Sequence, residues 1–182
     1  MKKGIIALIG MIVALVFVLV AFFGPWYNIS MEISPAIKME ASVGLTSAQV
    51  NGVTVSYSQV VGDKGPIDTT MYLTVGALVM VILSLIGILG FSFNFGNPKT
   101  MKMVGGIFGI IAFIMALIAP IYFMTYFNSE SMGNVGFWNQ YGGPGFAWYL
   151  MIIAAIIALI ASIAMLLKKS VPAAVIPTPP TQ

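Results

Sequence analysis

The sequence has no cysteine, no histidine and no arginine, and only 7% of its 182 residues are charged. Each gap closes a class of function. Without cysteine there is no disulfide, no thiolate nucleophile and no sulfur ligand for zinc. Without histidine there is no Ser-His triad and no imidazole ligand for a metal or haem. Without arginine there is no planar fork for phosphate or guanine, so the net charge of +3 does not indicate nucleic acid. A soluble domain carries about 25% charged residues. A chain that is 59% hydrophobic must instead turn most of its surface to lipid.

The few charges are sorted by four apolar runs. Lys2, Lys3, Lys99, Lys102, Lys168 and Lys169 fall in the segments on one side. Glu32, Glu40, Asp63, Asp68 and Glu130 fall in those on the other, with Lys38 and Lys64. Lysines near span ends stay cytoplasmic. The sorting therefore predicts an integral protein of the cell membrane, with both termini cytoplasmic and two loops extracellular. The expected spans are 4–24, 70–93, 101–127 and 145–167. Residues 25–69 and 128–144 form the outer loops, and 168–182 a proline-rich tail. The first span, at 1.5 Å per residue, is roughly 31 Å long and crosses a hydrocarbon core of about 30 Å. It is too long for the roughly 7–15-residue apolar core of a signal peptide.

Small residues recur at helical spacing in the spans: Gly10 and Ala14 in the first, Gly105, Gly109, Ala112 and Ala116 in the third, Ala154 and Ala158 in the fourth. Such stripes let helix backbones approach closely in lipid. They pack either within one four-helix bundle or against a partner protein, and the sequence leaves both open. Pro120 removes one amide from the third span and predicts a kink near its outer end.

The first outer loop is patterned as a sheet. Asn51-Gly52 is a two-residue hairpin signal, followed by the alternating strand Val53–Tyr57 and preceded by Leu45–Val50. Tyr27–Ile33 and Ala36–Val43 offer two more strands, predicting a three- or four-stranded antiparallel sheet. Pro25-Trp26 closes the first span, Gly44-Leu45-Thr46 follows, and the hairpin comes after it. On these residues the chain resembles the claudin, peripheral myelin protein and calcium-channel gamma-subunit group of tetraspans. That group carries a Trp after span one, then a Gly-Leu-Trp motif, then a hairpin closed by two cysteines. Here Thr46 stands at the motif Trp and neither cysteine is present. The resemblance implies a left-handed, all-α membrane four-helix bundle with a small extracellular antiparallel β-sheet.

Apart from Lys102, at the very start of the third, no acid or base lies in a span, where a transporter or proton relay would place one. The carboxylates of the outer loops are either solvated charges or calcium ligands, and no EF-hand spacing supports the second. Asn28-Ile29-Ser30 is an N-glycosylation acceptor on the predicted outer side. The outer aromatics, among them Trp26, Tyr27 and Trp148, form an interfacial belt or a contact surface, for which Phe137, Trp138 and Tyr141 are the best candidates. The expectation is a non-enzymatic structural or adhesion protein without cofactor, metal, nucleic acid or small-molecule substrate. Its partners are membrane lipids and either further copies of itself or a larger membrane complex. The alternative to self-assembly is an accessory subunit of a channel, transporter or energy-converting complex.

Overall fold

The structure is a computed structural model and describes residues 4–34, 37–57, 64–127 and 142–168. Four helices, α1 (Ile5–Phe23), α2 (Gly65–Ser92), α3 (Pro98–Phe127) and α4 (Phe146–Leu166), are each long and apolar enough to cross a membrane. They form a ring in which α1 and α3 each lie between α2 and α4. With its antiparallel sheet, the chain has a mostly helical, four-helix membrane fold.

Helix length sets the shape of the two ends. α1 and α4 have 19 and 21 residues, about 29 and 32 Å at 1.5 Å per residue, close to one bilayer core. α2 and α3 have 28 and 30 residues, about 42 and 45 Å. Gly4 sits beside Ser92 at one end, and Gly24 beside Phe146 at the other. α2 and α3 therefore rise past α1 and α4 at the end where α1 stops, and form a wall there.

Two helix starts differ from expectation. α2 begins at Gly65 rather than near Thr70, and α3 at Pro98 rather than Met101. Gly-Pro and Asn-Pro read as turns, yet proline at a first helical position removes an amide that has no partner anyway. Asp68 in the first turn of α2 also suits the positive end of the helix dipole.

Five strands form one antiparallel sheet in the order β4-β3-β2-β1-β5: β1 (Pro25–Ser34), β2 (Ile37–Gly44), β3 (Ala48–Val50), β4 (Val53–Val55) and β5 (Gly142–Pro144). β3 and β4 are shorter than the sequence pattern suggests. A turn closed by Gly44 N–H to Ser47 C=O takes Leu45–Ser47 out of the strand (2.9 Å). Asn51 and Gly52 supply the hairpin, with φ of 50° and 78°, the left-handed pair that a type I′ turn needs. The fifth strand was not expected. It comes from the segment between α3 and α4 and pairs Gly142–Pro144 with Tyr27–Ile29 of β1, tying that segment and the one between α1 and α2 into one sheet.

Every small-residue stripe faces inward. Ala14, Gly105, Gly109, Ala112, Ala116, Ala154 and Ala158 are buried, and Gly10 lies half-buried against Ala161. In the four helices the only exposed Gly or Ala is Gly65, at the very start of α2. A methyl group on Gly87 would strike the backbone of Gly105, and one on Gly109 would lie 3.0 Å from both Ser84 Oγ and Met11 Cε. Ser84 Oγ–H donates to the Gly105 carbonyl at 2.6 Å. The lipid-facing surface is instead Ile, Val, Leu and aromatic side chains. One apolar cluster fills the half of the bundle away from the sheet. The other runs without a break from all four helices into the sheet.

Candidate functional site

The sheet end carries the chain's unusual chemistry, and its mount starts with Trp26. One residue, Gly24, separates α1 from β1, so Trp26 is carried directly over the bundle. Its ring is fully buried, 5.3 Å from that of Phe123, and its Nε1–H donates to the Ala21 carbonyl at 2.7 Å. Tyr27 stacks on Phe127 at 4.9 Å, and Phe127 on Phe123 at 4.5 Å. Each aromatic contact adds about 0.5–1.5 kcal/mol beyond the area it buries. The protruding end of α3 is thus the wall that holds the first strand.

Pro25 and Trp26 were read as the close of a span; the structure makes them the start of β1. Gly44 is a close-approach residue, since a side chain there would lie 2.9 Å from the Gly24 carbonyl oxygen. Its own carbonyl accepts from the Tyr57 hydroxyl at 3.2 Å. Leu45 is buried beside them and Thr46 is exposed. Tyr57 carries the Lys64 ammonium 5.5 Å over its ring, and Lys64 pairs with Asp68 at 3.1 Å. Burial, and then the nearby Asp68 charge, push the Tyr57 hydroxyl up to about 12. Burial also raises Tyr27. The Lys64–Asp68 pair is half exposed and contributes only a few tenths of a kcal/mol.

The second loop is tied in at Gly145. Its N–H donates to the Trp26 carbonyl at 2.8 Å, and a side chain on it would strike the Pro25 backbone. Trp148 Nε1–H donates to the Pro120 carbonyl at 2.8 Å. α3 continues for two turns beyond Pro120, so this proline gives α4 a docking point inside an unbroken helix.

Trp26 and Tyr27, expected in an interfacial belt, are buried core residues. The exposed aromatics near this end are Phe23, Tyr72, Tyr122, Phe146 and Tyr149. Phe137, Trp138 and Tyr141 lie outside the described residues, as do Asp63 and Glu130.

The far face of the sheet is polar. Asn28, Ser42, Gln49 and Thr54 align across four strands, with Ser30 and Glu40 as the next row. Five of these line an open cleft of about 450 Å³. Asn28 is exposed and stands in register between Ser42 on β2 and Gly143 on β5. Among the described residues no three acidic side chains gather as a metal site would require.

The sheet edges differ in length. The Asn51 N–H donates to the Glu40 carbonyl, which fixes the phase of the ladder. In that phase Thr54 alone directs its peptide groups outward from β4. On β1, pairing with β5 stops at Ile29, so Ser30 and Glu32 turn theirs away from β2 with no partner among the described residues. Glu32 faces Lys38 across the ribbon. Compared with known proteins, the sequence matches no family model and no curated protein.

Proposed function

We propose that this chain is a claudin-like, non-enzymatic tetraspan of the cell membrane that works through protein contacts of its extracellular sheet. In this reading the lysine end and both termini are cytoplasmic, and the sheet is the recognition surface. The supporting observation is the division of labour among side chains. Every small-residue stripe is spent inside the bundle, so a lateral helix partner meets mainly branched and aromatic side chains. The sheet, by contrast, is held on the bundle by buried aromatic rings, and it offers a hydrogen-bonding face and a β1 edge that is open beyond Ile29 among the described residues. An open edge is a template for strand addition, and a second copy is the partner we assign to it. The accessory-subunit reading drew on Gly105 and Gly109 facing outward. Both are internal, and no other feature favours it.

Replacing Glu32 with proline tests the proposal. Proline on an edge strand removes the outward N–H without breaking the β1–β2 ladder. Self-association of the full chain in mild detergent should fall while helical content and melting stay unchanged. Undiminished self-association would reject the β1 edge as the contact.

A further inference from the structure

The opposite end of the bundle carries a different surface. Among the described residues its charges are Lys99, Lys102 and Lys168, with no acid beside them. The sequence adds Lys2, Lys3 and Lys169 in the same segments and places every carboxylate elsewhere. Lys99 and Lys102 are three apart on α3 and so share a face. The Lys102 ammonium donates to the Lys168 carbonyl, which brings the start of α3 to the end of α4. That bond uses one of three N–H donors, and two remain.

Large apolar side chains stand among these lysines. On the turn between α2 and α3, Phe93 is 63% exposed and Phe95 69%, and Leu167 next to Lys168 is 78% exposed. Asn94 and Gly96, with φ of 57° and 73°, shape this turn. The Phe93 N–H donates to the Leu89 carbonyl at 2.9 Å and the Phe95 N–H to the Gly90 carbonyl at 2.8 Å, so the backbone that carries the two rings is held by the fold. Exposed aromatics beside uncompensated lysines suit neither bulk water nor hydrocarbon. They suit the boundary between acyl chains and charged headgroups.

We propose that this end binds an anionic phospholipid, its phosphate at Lys99, Lys102 and Lys168 and its upper acyl region against Phe93 and Phe95. Charge complementarity selects an anionic headgroup. The exposed rings and the level of the span ends select a lipid over a soluble anion. Binding holds whichever leaflet this end meets, and it is independent of the function proposed for the sheet.

The test is native mass spectrometry of the full chain in mild detergent, with equimolar phosphatidylglycerol and phosphatidylcholine. Phosphatidylglycerol should be retained in clear excess. Each lysine near an anionic surface contributes roughly a fivefold factor. Lys99→Gln with Lys168→Gln should therefore cut the preference by more than tenfold, while Lys102→Arg, which keeps the charge and the bond to α4, should preserve it. Phe93→Ala with Phe95→Ala should lower retention of both lipids. Equal retention of the two lipids by the native chain would overturn the proposal. So would an unchanged preference in the double lysine variant, or displacement of the lipid by inorganic phosphate at equal concentration.

Discussion

The helix contacts and the sheet mount both use glycine where backbones meet, but they fill the remaining space with side chains of opposite size. In the bundle, side chains are removed: Gly87 meets Gly105 backbone to backbone, and Gly109 leaves space for Ser84 and Met11. In the sheet mount, side chains are large: Trp26, Tyr27, Phe123 and Phe127 stack into one buried group. The difference follows from the surroundings. Between helices in lipid there is no hydrophobic gain from burying one more leucine, so contact comes from approach and van der Waals fit. Where polar strands replace the apolar helix surface, large apolar rings are again driven inward. The chain changes strategy between Ala21 and Tyr27, across the junction of α1 and β1.

Five variants sharpen that contrast, beginning with the largest effect. Trp26→Ala should cost about 3–5 kcal/mol, the usual loss for a buried Trp. Since Trp26 joins both regions, thermal melting in detergent should shift for the whole protein. Gly105→Leu should cost about 1–3 kcal/mol through overpacking. The same assay should show a lower melting point, whereas Ile118→Ala on the lipid face should change stability by no more than about 0.5 kcal/mol.

Replacing Asn51 and Gly52 with a β-branched pair places L side chains at left-handed φ, at roughly 1–2 kcal/mol per residue. It also removes the bond from the Glu40 N–H to Asn51 Oδ1 (2.9 Å). Amide exchange should rise in β3 and β4 while the helices stay protected, and self-association should be lost. Assembly that survives with the sheet intact would count against the hairpin assignment.

The last effect is confined to alkaline pH. Tyr57 ionises in the folded state only near pH 12, against about 10 when unfolded. The folded state therefore favours the neutral phenol. Its contribution is complete below pH 10 and is lost as pH rises from 10 to 12. Tyr57→Phe should flatten the fall in stability over that window, leaving the part due to Tyr27, which burial shifts the same way. An unchanged alkaline profile would show that Tyr57 is not the group involved.

How much of this was legible in the sequence depends on range. Hydropathy and charge sorting expose four spans, because bilayer length and the cost of buried charge act on each segment alone. The hairpin at Asn51-Gly52 is legible for the same reason. Helix starts at Gly65 and Pro98 are hidden by Gly-Pro and Asn-Pro, which read equally as turns. β5 has no local signal at all: Gly142-Gly143-Pro144 forms a strand only because β1 lies beside it. The Trp148–Pro120 bond spans 28 residues, and no pattern announces it. The direction of the small-residue stripes was also closed to the sequence, since periodicity defines a face but not what it meets. The polar face at Asn28, Ser42 and Gln49 was missed because each residue, taken singly, is an ordinary outward strand position.

The measurement that bears most directly on the central claim is the native mass of the full chain purified from its own membrane in mild detergent, alongside its Glu32→Pro variant. The account predicts a discrete assembly of identical copies that falls to the monomer when the β1 edge is blocked. A stoichiometric complex with a foreign membrane protein, unchanged by Glu32→Pro, would contradict it.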